Sequence, residues 1–296
     1  MKTSSIYIIL FIFFFSGNLM AQQDPSYIFY RYSMNFVNPA YAGAGDRTEF
    51  AANVRSQWSG VAGAPETQSF LASTHMGKNV GLGVSIINDK TFIETQTSVA
   101  IDFSYKVQWD NYTNIYFGLK ASGNSYNANT DGLLTFGIQG DPSLMDIDGG
   151  ITPNIGAGVY FQNRKLSLSL SAPSILRPRR LEQENGTARL GRNKLHVYLM
   201  GAYDIEINDK LLLKPSSMVR YVENAPISVD LTAALRYDET FEIGAAYRLN
   251  EGLAGFVLLK LANSFDIGYA YEANVESSLN NTNNGSHEIF LKLTLP

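Results

Sequence analysis

The residues best suited to metal binding or general-base work are three histidines, His75, His196 and His287, and they stand far apart in the chain. No H-x-x-x-H or similar ligand spacing brings two of them onto one element. Cysteine is absent, which excludes thiolate metal sites, cysteine nucleophiles and disulfide frameworks. A serine hydrolase would need a Ser–His pair steadied by a third polar group. His196 falls on a polar strand face, but no serine near it has the surroundings of an activated nucleophile. The pairs Gly81-Leu82-Gly83 and Gly156-Ala157-Gly158 complete no phosphate-binding fingerprint, and glycine on a strand more often relieves crowding. The residues thus point to no catalytic site, no metal and no cofactor. A formal charge of −4 also argues against nucleic acid as a partner.

The elements around these residues read as strands. Apolar and polar side chains alternate in Phe241-Glu242-Ile243-Gly244-Ala245-Ala246-Tyr247-Arg248-Leu249, and again where Val229, Leu231, Ala233, Leu235 and Tyr237 oppose Ser228, Asp230, Thr232 and Arg236. A period of two gives each strand one apolar and one polar face. Division at turn signals predicts strands near 48–58, 66–76, 79–88, 93–109, 112–125, 152–162, 165–172, 194–207, 210–222, 226–237, 240–249, 252–262, 264–274 and 286–295. Connections after even-numbered strands are mostly tight and polar. Several after odd-numbered ones are long, notably 126–151, 173–193 and 276–285. Outer-membrane barrels show that asymmetry, with short periplasmic turns and longer external loops.

Charge and composition agree. Asp102, Lys106, Lys120, Asp204, Asp230, Arg236, Glu242, Arg248, Asp266, Glu272, Glu288 and Lys292 all lie in the polar phase, where a lumen would shelter them from lipid. Charged residues are 17% and aromatics 12%, with no later apolar run long enough for a membrane helix. At the N-terminus, Lys2, the apolar run Ile6 to Phe15 and Leu19-Met20-Ala21 read as a signal peptide. The expected organisation is a signal peptide over 1–21, an aromatic segment over 22–47 and one antiparallel, all-β transmembrane barrel of about fourteen strands over 48–296, in the outer membrane.

The segment before the first strand is unusual. Tyr27, Phe29, Tyr30, Tyr32 and Phe36 are too many aromatics for a free tail, and Asn38-Pro39-Ala40-Tyr41-Ala42-Gly43 predicts a fixed turn. The segment is expected to plug the barrel mouth or to meet a partner. Arg55 and Trp58 could form a cation–π pair inside the lumen. Arg177-Pro178-Arg179-Arg180, with Arg189 and Arg192, lies in a long predicted external loop: a solvated surface, or a contact for an acidic partner or lipopolysaccharide phosphates.

Several of these stretches, in order, carry a family resemblance. Gln23-Asp24-Pro25, the Asn38 to Gly43 turn, Arg55-x-Gln57-Trp58, Gly63-Ala64-Pro65-x-Thr67, Gly81-Leu82-Gly83-x-x-Ile86-x-Asn88-Asp89 and Gly285-Ser286-His287-Glu288-Ile289 resemble the PorP/SprF family. That resemblance implies a non-enzymatic outer-membrane barrel of the type IX secretion system in Bacteroidota. It implies partners among translocon and periplasmic ring subunits and the C-terminal domains of secreted cargo, including gliding adhesins, besides outer-membrane lipid. A passive porin or a hydrophobic-solute transporter is the alternative.

Overall fold

A computed structural model describes residues 26–129, 147–176, 179–184, 187–192, 194–249, 251–261, 264–274 and 284–295. The wall consists of β1 Thr48–Ser56, β2 Glu66–Met76, β3 Val80–Thr91, β4 Glu94–Gln108, β5 Asn114–Ala128, β6 Ile147–Gln162 and β7 Leu166–Ala172, followed by β8, which runs His196–Tyr203 and resumes as Ile205–Asn208. It continues with β9 Leu211–Val222, β10 Ser228–Tyr237, β11 Phe241–Arg248, β12 Gly252–Leu261, β13 Phe265–Asn274 and β14 Ser286–Leu295. Each strand pairs antiparallel with its sequence neighbours, and β1 pairs with β14 from Thr48↔Leu295 to Ser56↔His287. The result is a closed fourteen-stranded barrel. Closure leaves no strand edge to hydrocarbon, which is why barrels can span a bilayer.

Period-two sequence becomes a two-sided wall. Leu119 is 63% exposed on the outer face, Ile101 60% and Leu231 52%, while Asp102, Lys120 and Asp230 one position along are buried. In water an apolar surface this extensive would aggregate; against lipid it is the matching solvent. Aromatic side chains gather at both ends of the apolar band: Trp109, Tyr112, Tyr203 and Tyr237 at the short-turn end, Tyr221, Tyr247, Tyr269 and Tyr271 at the other. These are the girdles of a membrane barrel, with amphipathic rings at the two interfaces.

Turn chemistry accounts for the tight end. Asp110 Oδ1 accepts from Tyr112 N and Thr113 N, both at 2.7 Å, and these bonds hold its carboxyl below the usual carboxylate range. Asn163 and Asn208 cap their turns in the same way. Asp238 and Glu239 both adopt positive φ at the centre of a turn closed by Thr240 N donating to Tyr237 O at 3.1 Å, as a turn of primed type demands.

The strand boundaries differ from the sequence expectation where period and packing part company. β6 begins at Ile147 and β5 runs to Ala128, so residues 126–128 and 147–151 of the expected loop 126–151 belong to strands. The expected loop 173–193 contains a further two-stranded sheet, Arg179–Glu184 paired with Thr187–Arg192. β8 is divided at Asp204, whose N–H still donates to Lys165 O, beside the neighbouring strand β7, at 2.8 Å and whose side chain pairs with Arg31 in the lumen. The expected signal peptide lies outside the described residues.

Candidate functional site: the filled lumen

The barrel interior holds the chain's only large set of buried aromatic side chains among the described residues, and many come from the N-terminal segment. Residues 26–47 lie inside the barrel, from Ile28 and Phe29 beside Glu288 to the short-turn end where they join β1, and include three turns of 3-10 helix, Tyr30–Tyr32, Met34–Phe36 and Pro39–Tyr41. Phe29 stacks on Phe290 (5.2 Å between centroids) and meets Phe256 edge-on at 5.5 Å. Tyr41 meets Tyr160 edge-on. The inward phase is thus not uniformly polar: Phe256, Leu258, Phe290, Tyr116, Tyr160 and Met218 face inward and pack on the segment. An occupied lumen needs the density of a protein core.

The Asn38 to Gly43 turn is the first anchor. Asn38 Oδ1 accepts from Ala40 N at 2.9 Å, which starts a helical turn with Pro39 in its first position. Its Nδ2 donates to Val159 O at 3.1 Å and Ser169 Oγ at 2.7 Å, tying the turn to β6 and β7. Gly43 N donates to Ser73 Oγ on β2, and Ser104 Oγ on β4 donates to Ala42 O. The backbone lies so close to the wall that a Cβ on Gly81 would stand 1.9 Å from Ala42 O, and one on Gly158 would stand 2.1 Å from Asn38 Oδ1. Both glycines are therefore required by the inserted turn. Gly81→Val should lower unfolding free energy by about 3 kcal/mol or more, because the carbonyl it meets is backbone and cannot swing aside. Urea unfolding in lipid vesicles checks this, and a loss under about 1 kcal/mol contradicts the packing.

The second anchor lies toward the long-loop end. Glu288 is fully buried and receives four donors: Ile28 N at 2.8 Å, Phe29 N at 3.1 Å, Asn53 Nδ2 at 2.8 Å and Arg55 Nη1 at 3.1 Å. Arg55 also reaches Glu272 Oε2 at 3.1 Å; Arg248 approaches the same oxygen at 3.4 Å and Asp230 Oδ1 at 2.7 Å. One carboxylate thus binds two backbone N–H groups of the inserted segment to a chain of alternating charges on the wall.

Two further groups complete the fixation. Tyr32 OH donates to Glu242, and Lys214 Nζ lies 2.9 Å from both Glu242 Oε2 and Tyr32 OH, with Arg236 Nε at 3.0 Å from the same carboxylate oxygen. Arg31 pairs with Asp204. Under Asn35, Lys120 Nζ is 2.9 Å from Asp102 Oδ1 and donates to Asn35 O at 3.2 Å. Tyr30 OH lies 3.0 Å from Ser216 Oγ and donates to Thr232 Oγ1 at 3.4 Å.

The sequence-selected residues divide accordingly. Asn38, Pro39, Ala40, Tyr41 and Gly43 form the first anchor, and Arg55 and Glu288 meet in the second. Gln57, Trp58 and Pro65 lie in the β1–β2 connection, where Gln57 N donates to Pro65 O at 2.9 Å and Trp58 N to Ser286 Oγ at 3.3 Å. The cation–π pair expected between Arg55 and Trp58 is replaced by ion pairs: two buried carboxylates hold the guanidinium inside the lumen. His287 faces outward, its Nδ1 2.8 Å from Tyr269 OH. Arg179 and Arg180 sit in the short outer hairpin, opposite Arg192 and Gly191. Asp24, Pro25 and Arg177 lie outside the described residues. Sequence reading placed Asp102, Lys120, Asp230, Glu242, Arg248 and Glu272 in the polar phase but could not pair them. Lys214 and Asn53 it did not single out, and polar-phase position was their one available signal. Among the described residues, no group of three or more His, Asp or Glu side chains is placed to hold a metal.

Residues 19–293 match the family of type IX secretion system membrane proteins PorP/SprF. The chain belongs to this family. Curated proteins give no match. Among solved structures, a deletion mutant of the monoaromatic hydrocarbon channel TodX superposes with a TM-score of 0.50 at 9% identity, covering 87% of this chain and 92% of that one. The toluene transporter TbuX of Ralstonia pickettii gives 0.48 at 12% identity (87% and 90% covered), and Omp33 of Acinetobacter baumannii 0.47 at 11% (85% and 99% covered). At such identities the likeness concerns the fold alone. A PorP/SprF barrel with an apolar band and two aromatic girdles is an outer-membrane protein.

Proposed function

We propose that this PorP/SprF protein is a non-enzymatic accessory of type IX secretion. In this reading the barrel is a rigid platform that binds translocon and periplasmic ring subunits, and the C-terminal domains of cargo, gliding adhesins among them, for secretion or surface attachment. Membership of a secretion-system family supports the setting. The observation that carries the reading is the filled lumen. A solute conduit needs a continuous open path, whereas here residues 26–47 are fastened to opposite walls through Asn38, Glu288 and Glu242. Function then resides at the two ends of the barrel rather than through it. The buried carboxylates are engaged in ion pairs and backbone hydrogen bonds, which supports a structural use of them over a catalytic one.

Deleting the gene tests this. A defined subset of surface proteins should disappear from protease-shaved, intact cells while outer-membrane permeability to small solutes stays unchanged. Persistence of every surface protein would overturn the secretion role. Purification from gently solubilised membranes should bring down translocon or ring subunits; recovery of the barrel alone, in repeated extractions, would count against the platform.

A further inference from the structure

On the lipid-facing wall, at the opposite surface from the first anchor, two adjacent rows of cross-strand neighbours differ in size. One row is Tyr105, Phe117, Val159 and Leu170; the next is Phe103, Leu119, Ala157 and Ala172. The directly paired Ala157 and Ala172 leave a hollow between larger neighbours, and the groove they floor has a volume of about 680 Å³, closed off by Val197 of β8. Its lining is almost wholly apolar side chains and strand backbone. A concavity of this kind inside the hydrocarbon band fits an acyl chain.

At the short-turn end of the same β6–β7 ribbon stands Arg164, its guanidinium carbon 3.4 Å from the centroid of the Tyr112 ring. Both side chains are exposed. The neighbouring Lys165 has Glu206 at 3.9 Å, but Arg164 has no carboxylate partner among the described residues. Stacking on an aromatic face holds a guanidinium flat while leaving its N–H edge directed at solvent or headgroups, a geometry suited to a phosphate. From Arg164 to Ala157 the strand rises roughly 24 Å at about 3.4 Å per residue, or about 18 Å of depth at a tilt of about 40°. That is close to the thickness of one leaflet's hydrocarbon, about 15 Å. Outer-membrane barrels turn their short connections to the periplasm, which makes the leaflet concerned the phospholipid one.

We propose that the groove and Arg164 together form a specific site for one phospholipid of the periplasmic leaflet, its phosphate on Arg164 and one acyl chain over the Ala157–Ala172 pair. Complementary charge at the rim and an apolar trough ending near mid-membrane select this occupant over a protein segment.

The full-length barrel, reconstituted with phosphatidylethanolamine and phosphatidylglycerol and then released into mild detergent, should keep one phospholipid per chain through graded delipidation in native mass spectrometry. Arg164→Ala should reduce that retention about tenfold, the loss of one charge-assisted contact. Ala157→Trp, which fills the groove from the lipid side, should abolish it. Ala245→Trp is the control: Ala245 faces lipid opposite Ala233 on β10, away from the groove, and its substitution should change nothing. Equal retention in all four proteins, equal loss in Ala245→Trp, or no stoichiometric lipid on the unmodified chain would each overturn the site. Retention of an anionic detergent or lipopolysaccharide in preference to phospholipid would overturn the assignment of the occupant.

Discussion

Replacing Glu288 by alanine should remove about 3–5 kcal/mol of unfolding free energy and loosen the inserted segment at its outer end. Four donors lose their acceptor at once: Ile28 N, Phe29 N, Asn53 Nδ2 and Arg55 Nη1. Arg55 keeps Glu272, but that carboxylate already serves Arg248, so a fully buried guanidinium would be left short of negative charge. Breaking one side of a buried ionic group is costly because the remaining charge stays desolvated. Glu288→Gln, which retains an acceptor oxygen without the charge, should lose about half as much. Urea titration in lipid vesicles followed by tryptophan fluorescence measures both, since Trp58 sits against Ser286 beside the site. An alanine variant within about 1 kcal/mol of the parent would mean that Glu288 does not hold the segment.

A comparable loss is expected where β4 and β5 meet the inserted segment, with a means of reversing it. Lys120 and Asp102 face each other beneath Asn35, both buried. Lys120→Met strands Asp102 without a cation and should cost about 3–5 kcal/mol. The double variant Lys120→Met with Asp102→Leu removes both charges and should recover all but about 1 kcal/mol, the remainder being Asn35 O, which loses its Lys120 donor. A double variant as unstable as the single one would show that the damage comes from lost packing rather than from an unpaired charge.

The wall was legible because its physics is local. Glu242 between Phe241 and Ile243, or Arg248 after Tyr247, declares its face through its immediate neighbours, and the even strand number follows from counting such runs. Loop parity set the short-turn end of the barrel apart from the long-loop end. What the sequence concealed depends on distance around the barrel. Arg55 and Glu288 are 233 positions apart, and no local pattern says that they meet, so the nearer Trp58 looked the more plausible partner for the guanidinium. The inward Phe256, Leu258 and Phe290 break the polar phase for a reason visible only once residues 26–47 are inside the lumen. The pairing of Asp204 with Arg31 likewise joins residues far apart in the chain. The Asn38 to Gly43 turn was recognisable as fixed, and the strand glycines as relief of crowding. That Gly81 and Gly158 make room for that very turn required the register of β3 and β6.

The most direct test of the whole account is planar-bilayer recording from the purified, full-length protein. With residues 26–47 anchored at Asn38, Glu288 and Glu242, insertion should produce no steady conductance, and a chain lacking those residues, or carrying Glu288→Ala, should show openings. Large, stable channels from the unmodified protein would contradict a lumen closed by its own N-terminal segment.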